Sequence, residues 1–215
     1  PKHLGKGWAG CDFAKAFGPG PITYERVEKA ISSFERTIVS ANSPFDRWKY
    51  GHDERAVSQA VKSGFVVFTS PQKGNCSACH LIGEDYALFT DNKFHNIGVG
   101  VDMGQITDQG RFAVSRNEAD RGAFRTPSLR NISLTAPYMH DGSVQNLKDA
   151  VDYYIGGGNS NPQLDPQIHV LDFLSGQERA DLRAFLESLT GEMPRDIGPP
   201  APANPVPLSS ESGLP

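Results

Sequence analysis

The spacing of apolar side chains divides this chain into short helices joined by long loops. Val27, Ile31, Phe34 and Ile38 recur at intervals of three and four residues. Side chains with that period share one face of a helix. We therefore predict an amphipathic helix over residues 24–39, with an N-terminal cap at Thr23.

Three further segments show the same period. Residues 54–69 and 147–154 each place apolar side chains on one helical face. Ser175 and Glu178 form the Ser-x-x-Glu pattern of a capping box, which predicts a last helix ending near Leu189. Strand-like alternation of apolar and polar residues is absent from the sequence, so we expect few or no strands.

Glycine and proline are abundant between the predicted helices. We expect residues 1–21 to be an interdomain segment containing a short helix, and residues 22–192 to form one domain. Within that domain, residues 81–125 show no regular pattern and are expected to be loops. Residues 193–215 are rich in proline and serine, which indicates an extended tail.

Charge and hydropathy exclude two classes of partner. The formal net charge is −4, whereas a general nucleic-acid-binding protein needs a basic surface. No apolar run approaches the length that crosses a bilayer, so we expect no membrane span.

The residues with the clearest chemistry are Cys76, Cys79 and His80, which form the pattern Cys-x-x-Cys-His. This pattern is the attachment site of a c-type haem: each cysteine sulfur bonds to one haem vinyl group, and the histidine is the first axial ligand of the iron. The motif thus predicts covalent haem c and iron redox chemistry.

Zinc binding and dithiol redox chemistry are the alternatives for a Cys-x-x-Cys pair. A structural zinc site needs two more ligands at close spacing, and the third cysteine, Cys11, lies far upstream. Haem attachment is therefore the favoured interpretation, which leaves Cys11 as a buried thiol or the source of an intermolecular disulfide.

A mainly α, cytochrome c-like haem domain with long loops is the fold that these features predict. Because haem c is attached outside the bacterial cytoplasm, we expect an exported protein of the periplasm. The chain begins Pro1-Lys2-His3, with neither methionine nor an apolar leader. We interpret it as a processed chain whose signal peptide is not in the sequence.

The chemistry of the residues does not by itself identify the second axial ligand of the iron. The candidates downstream of the motif are His95, Met139, His140, Tyr153, Tyr154 and His169. Methionine and histidine are the commoner iron ligands, and tyrosine is an uncommon one. Residue chemistry by itself therefore favours Met139.

Four blocks of this sequence resemble the di-haem cytochrome c peroxidase/MauG family. They are Phe34-Glu-Arg-Thr37, Asn42-Ser-Pro-Phe-Asp46, the ten residues from Phe89 to Gly98, and the eighteen residues from Arg125 to Gly142. The last block contains Thr-Ala-Pro-Tyr-Met-His-Asp-Gly. The resemblance that these blocks mark extends over most of residues 22–190.

The resemblance implies a different axial ligand from the one that chemistry alone favours. In this family the distal ligand of the C-terminal haem lies on a Val-x-x-Met or Val-x-x-Tyr pattern, matched here from Val151 to Tyr154. Tyr154 then replaces Met139 as the expected ligand, as in the MauG-like branch. The resemblance also implies a calcium ion held by the backbone carbonyls of Thr135 and Pro137, which suit a hard cation.

The same resemblance implies an activity and a missing partner. The family uses two haems and hydrogen peroxide to oxidise a protein substrate or an electron donor, and this chain has only one haem motif. We expect it to be the C-terminal half of such an enzyme, with its haem as a low-spin electron relay. No residue of this chain is assigned a catalytic role, and the peroxide-reacting haem is expected on an N-terminal domain or a companion chain.

Two alternatives remain open: a non-enzymatic single-haem electron-transfer cytochrome or subunit, and a cytochrome c peroxidase of the methionine-ligated branch. Arg125 and Arg130 are candidates for pairing with the haem propionates, although structural salt bridges explain them equally well. His95 is a candidate for the haem surroundings.

Overall fold

The computed structural model describes residues 8–192, with side chains from Phe13 onward. The predicted tail over 193–215, the first seven residues and the side chain of Cys11 lie outside the described part. Among the described residues, seven helices are present: α1 (Trp8–Phe17), α2 (Tyr24–Glu35), α3 (Pro44–Lys49), α4 (Gln59–Thr69), α5 (Phe112–Ser115), α6 (Leu147–Ile155) and α7 (Gly176–Glu187).

Strand content is as low as predicted. In the described part of the chain, β1 (Phe94–His95) pairs antiparallel with β4 (Phe124–Arg125), and β2 (Val101–Asp102) pairs antiparallel with β3 (Gln105–Ile106). The prediction of a mainly helical, loop-rich fold is confirmed.

The chain divides into two compact units. Among the described residues, those from Trp8 to Val39 belong to one unit, and Ser40–Glu192 form the other. The haem motif lies in the second unit. α2 falls in the first unit, whereas the sequence predicts a domain over residues 22–192, and that boundary stays a prediction.

Helix α2 begins where the sequence predicts, but it ends earlier than predicted. The Thr23 hydroxyl accepts a hydrogen bond from the backbone amide of Arg26, which confirms the predicted cap. The helix ends at Glu35 rather than at residue 39. No residue of α2 is buried, and Ile31 and Phe34 are about half exposed, so packing does not extend the helix.

The predicted helix over 54–69 was too long at its start. Ser58 caps α4 by accepting a hydrogen bond from the amide of Val61, and residues 54–58 form turns instead. Helix α3 was not predicted, although its signal was present in the sequence: proline follows the cap residue, and Ser43 and Asp46 form a capping box. The predicted capping box of Ser175 and Glu178 begins α7 as expected.

The core of the second unit lies where α4 packs on α7. Phe45, Phe68, Phe89 and Phe185 are at most 1 % exposed there. Gly64 allows the close approach, because a β-carbon at this position would lie 1.9 Å from the carbonyl oxygen of Asp181. This contact brings the end of α4, and hence the haem motif, onto the aromatic core.

Candidate haem-binding site

The haem motif occupies a tight turn immediately after α4. Gly74 donates its amide to the carbonyl of Val67 at 2.9 Å, which folds the chain back against the helix. Cys76–Ala78 then form a 3-10 turn, and the amide of His80 donates to the carbonyl of Cys76 at 2.9 Å. The turn therefore presents Cys76, Cys79 and His80 from one short loop, as haem attachment requires.

Both thiols of the motif are poorly suited to dithiol chemistry. Burial raises the pKa of Cys76 to about 12 and that of Cys79 to about 11. Reactive and zinc-binding cysteines need an accessible or stabilised thiolate, which usually comes from a lowered pKa. The environment fits two sulfurs that will be enclosed against a porphyrin.

His80 is oriented for axial ligation by its other ring nitrogen. Its Nδ1 lies 2.8 Å from the carbonyl oxygen of Phe89 and donates to it, which leaves Nε2 as the ligand atom. Burial lowers the pKa of this imidazole and so keeps it neutral, the form that binds a metal.

The two adjacent tyrosines of α6 have different environments, because neighbouring positions on a helix point about 100° apart. Tyr153 donates its hydroxyl to the carbonyl of Ile97 at 2.9 Å. The Tyr154 hydroxyl makes no hydrogen bond within the described part of the chain. Burial raises its pKa, and the thiols of Cys76 and Cys79 are close enough to raise it further.

Tyr154 therefore faces the haem motif, and Tyr153 does not. The Tyr154 side chain is half-buried, and its hydroxyl, which no protein group engages, is free to bind a ligand beside the motif. The residues fit a haem held by Cys76 and Cys79, with His80 and Tyr154 as axial ligands. That ligand set stays a prediction.

The remaining candidates for the iron are placed elsewhere or are already engaged. His140 stacks on the ring of Phe124, with 3.4 Å between ring centres. His169 contacts the carbonyl of Gln167 through Nδ1. Met139 is half-buried with a backbone φ of 67°, and its assignment as the runner-up ligand is untested.

His95 lies beside the motif in a cluster that the sequence analysis did not foresee. Its Nδ1 is 2.6 Å from Asp165, its Nε2 is 2.9 Å from Asp91, and Cys79 Sγ lies 4.0 Å from Nδ1. Burial lowers the pKa of His95, but the hydrogen bonds to the two carboxylates outweigh it and raise the pKa overall. His95 in β1 thus contacts both the haem motif, through Cys79, and the loop before α7, through Asp165.

Cys79, Asp91 and His95 also have the composition of a metal-binding group. We do not assign a metal to them, because both nitrogens of His95 already face carboxylates and Cys79 belongs to the haem motif.

The two candidate propionate-binding arginines contact protein groups. Arg130 forms an ion pair with Asp46 at 2.5 Å and donates to the carbonyl of Ala87. Arg125 donates to the side-chain oxygen of Asn92 at 2.7 Å. Arg130 therefore forms a structural salt bridge, which was the alternative to binding a propionate. A propionate contact of Arg125 or Arg130 is untested.

The predicted calcium ligands lie in an exposed turn. Thr135 and Pro137 are both exposed, and the peptide bond before Pro137 is cis. Exposure of these residues is compatible with a shared cation, and the calcium site stays a prediction.

Comparison with known proteins defines the class of this haem domain. The sequence profile described as di-haem cytochrome c peroxidase matches residues 8–54. The chain is 41 % identical over 180 residues to methylamine utilization protein MauG of Methylophilus methylotrophus, covering 83 % of the chain and 51 % of that protein. It is 43 % identical over 183 residues to MauG of Methylorubrum extorquens, covering 84 % and 48 %.

A solved structure agrees with these relatives. The crystal structure of a MauG-like protein associated with microbial copper homeostasis superposes with a TM-score of 0.71 at 31 % identity, covering 89 % of this chain and 61 % of that one. The chain belongs to the di-haem cytochrome c peroxidase/MauG family. It spans about half the length of the curated relatives that it matches.

Proposed function

We propose that this chain is the C-terminal haem domain of a MauG-like di-haem enzyme that uses hydrogen peroxide to oxidise a protein substrate or an electron donor. Its haem c is a low-spin relay, closed by His80 and Tyr154. The observation that carries the proposal is the Tyr154 hydroxyl, which belongs to a half-buried side chain, lies near both motif thiols and has no hydrogen-bond partner in the described part of the chain.

The haem supplies a reversible one-electron couple, and the residues of this chain determine how it is used. Cys76 and Cys79 fix the porphyrin, and the Phe89 carbonyl holds His80 at a fixed ring angle. Tyr154 must release its proton to bind iron. Because burial raises the pKa of this hydroxyl, the positive charge of the metal has to compensate for the buried phenolate.

If His80 and Tyr154 both hold the iron, the haem of this chain would have no open position for peroxide. The reaction would then take place at a second haem, on an N-terminal domain or a companion chain, and this domain would store or pass on the oxidising equivalent. The shared length with MauG supports this division, since the chain matches only about half of those proteins.

A calcium ion on the Thr135 and Pro137 carbonyls and a location in the periplasm complete the proposal. No helix among residues 8–192 is long and apolar enough to cross a bilayer.

A single-haem electron-transfer cytochrome or subunit is the second candidate. The single haem motif and two available axial ligands favour this function, because an iron with both axial positions filled can exchange electrons without binding a substrate. A cytochrome c peroxidase with Met139 or another methionine as ligand is the third.

Haem counting and peroxide titration test these functions. The intact mass of the purified protein, with any companion chain, gives the number of covalent haems, and metal analysis after dialysis tests for calcium. We expect two haems in the assembly and spectral changes on adding peroxide. One haem and no reaction with peroxide would establish the electron-transfer cytochrome instead.

A further inference from the structure

A continuous series of aromatic rings joins a surface tryptophan to the axial histidine. The ring centres of Trp48 and Phe65 are 5.4 Å apart, those of Phe65 and Phe185 are 5.7 Å apart, and those of Phe185 and Phe68 are 4.8 Å apart. Phe68 lies 6.5 Å from the ring of His80. Packing in the core accounts for the three phenylalanines. Trp48, at the outer end of the series, also contacts polar groups at the surface.

Trp48 is half-buried, and its polar edge meets an acid–base pair at the surface. Its Nε1 donates to the Glu54 carboxylate at 3.3 Å, and Lys62 Nζ lies 2.5 Å from the same oxygen. Lys62 also lies over the indole ring, 6.0 Å from its centre. The Glu54 side chain is 72 % exposed, so this end of the series is open to solvent.

These contacts suit one-electron oxidation of the indole. Indole and phenol are the aromatic side chains that lose an electron most readily, and an oxidised indole becomes a strong acid at Nε1. A carboxylate already bonded to Nε1 can accept that proton. The nearby Lys62 cation disfavours a positively charged indole, which couples electron loss to proton loss.

Tyr50 provides a contrast within the same cluster. Its ring lies 5.8 Å from that of Phe45, so it also contacts the aromatic core. Its hydroxyl, however, donates to the carbonyl of Gly83, and a carbonyl oxygen is too weak a base to accept the phenolic proton.

We propose that Trp48 is a redox relay between the haem of this chain and the protein surface. In each event Trp48 loses one electron through the aromatic series toward the haem and its Nε1 proton to Glu54, which leaves a neutral indole radical. Hydrogen peroxide is the oxidant: it takes up two electrons and two protons to give two waters. Each peroxide draws these two electrons through Trp48 in two successive events. After each event the donor or protein substrate returns one electron to the indole and Glu54 returns the proton, so the substrate is the net source of both electrons. Without a donor the indole radical remains, and the second electron comes from the one-electron couple of the haem.

The inference rests on the proposed function, because the relay needs an oxidising equivalent at the haem. The experiment uses the haem-loaded protein in its complete assembly, treated with one equivalent of hydrogen peroxide without an electron donor. Electron paramagnetic resonance detects the radical, and peptide mapping by mass spectrometry locates oxidised side chains. Haem spectra before treatment confirm that each variant binds haem normally.

The chain offers matched controls for Trp48→Phe. Tyr50→Phe removes the other oxidisable ring of the cluster, and Trp8→Phe removes the second tryptophan of the chain. The double variant Phe45→Leu/Phe65→Leu interrupts the series and keeps the indole, because the ring of Phe45 offers a second path, 6.2 Å from Trp48 and 5.7 Å from Phe185. Glu54→Gln keeps a polar partner but removes the base. We expect oxidation at residue 48 in the unsubstituted protein and in both controls, loss of the radical in Trp48→Phe, and weaker signals in the double variant and in Glu54→Gln.

The outcomes separate the relay from the function on which it rests. A normal haem response to peroxide with no oxidation at Trp48, or a radical that survives in Trp48→Phe, would overturn the relay and leave the enzyme proposal standing. Equal labelling of Trp48 in the Phe45→Leu/Phe65→Leu variant would show that peroxide attacks it directly from solvent, which also overturns the relay. No haem response to peroxide in any variant would exclude both proposals.

Discussion

The Tyr154 hydroxyl lies within electrostatic reach of the Cys76 thiol, although the two residues belong to separate helical elements of the chain. The contact places a phenol from α6 opposite the turn that carries the haem motif. Its neighbour Tyr153 is bonded to Ile97 instead, so the two tyrosines form a natural comparison.

Replacing Tyr154 with phenylalanine is expected to change the spin state of the ferric haem and raise its reduction potential. The phenolate stabilises ferric iron, and its loss leaves the sixth position to water or to no ligand. Optical and electron paramagnetic resonance spectra measure the first effect, and potentiometry measures the second. Tyr153→Phe and Met139→Leu are the controls and should keep the low-spin spectrum; a spectrum altered only by Met139→Leu would restore methionine as the ligand.

Replacing Arg130 with methionine is expected to lower the free energy of unfolding by about 3 kcal/mol, because it leaves the mostly buried Asp46 carboxylate without its cation. Denaturant unfolding of the haem-loaded protein measures the effect. Arg121→Met, which removes a more exposed pair with Glu118, should lower the free energy of unfolding much less, because water and salt screen an exposed pair. Equal losses for both variants would show that the Asp46 pair has no special role.

The same pair predicts an acid-side dependence of stability. Burial raises the pKa of Asp46, but the hydrogen bonds from Arg130 and Ser43 outweigh it and lower the pKa in the folded protein. The contribution is therefore present above the unfolded pKa and is lost as the pH falls through the folded one. Unfolding curves between pH 7 and pH 3 should show this loss in the unsubstituted protein and a smaller one in Arg130→Met.

The environment of His95 predicts that stability depends on pH in the opposite sense. Its pKa is raised in the folded state, so its stabilising contribution is complete below the unfolded value of about 6.5 and is lost as the pH rises through the folded value. We expect His95→Asn to destabilise the protein by about 1–2 kcal/mol at pH 6 and by less at pH 9. His169→Asn, at an exposed histidine bonded only to a backbone carbonyl, should change neither value.

Gly64 predicts a large packing effect. A β-carbon here meets the Asp181 carbonyl at 1.9 Å and the Phe185 β-carbon at 2.9 Å, so Gly64→Ala should cost about 3 kcal/mol as α4 moves away from α7. Gly176→Ala is the control, since a β-carbon at this helical position meets nothing within 4 Å and should stabilise slightly. Haem content after purification reports whether the displaced α4 still presents the motif.

Local sequence patterns were sufficient for the motif, the helix starts at Thr23 and Ser175, and the low strand content. Each depends on residues close together in the chain: a capping side chain reaches an amide three positions away, and the haem cysteines share one turn. Helix ends were less predictable. The spacing of apolar residues predicted that α2 continues to residue 39, but the helix ends at Glu35, because no packing supports further turns.

Only the tertiary structure brought distant groups together. The sequence offered two adjacent tyrosines and several other ligands. The hydrogen bond of Tyr153 and the unpaired hydroxyl of Tyr154 distinguish these two through the packing of α6. Likewise, the Asp91–His95–Asp165 cluster and the rings between Trp48 and His80 join segments far apart in the chain, which no local pattern can specify, because such contacts are set by how whole elements pack.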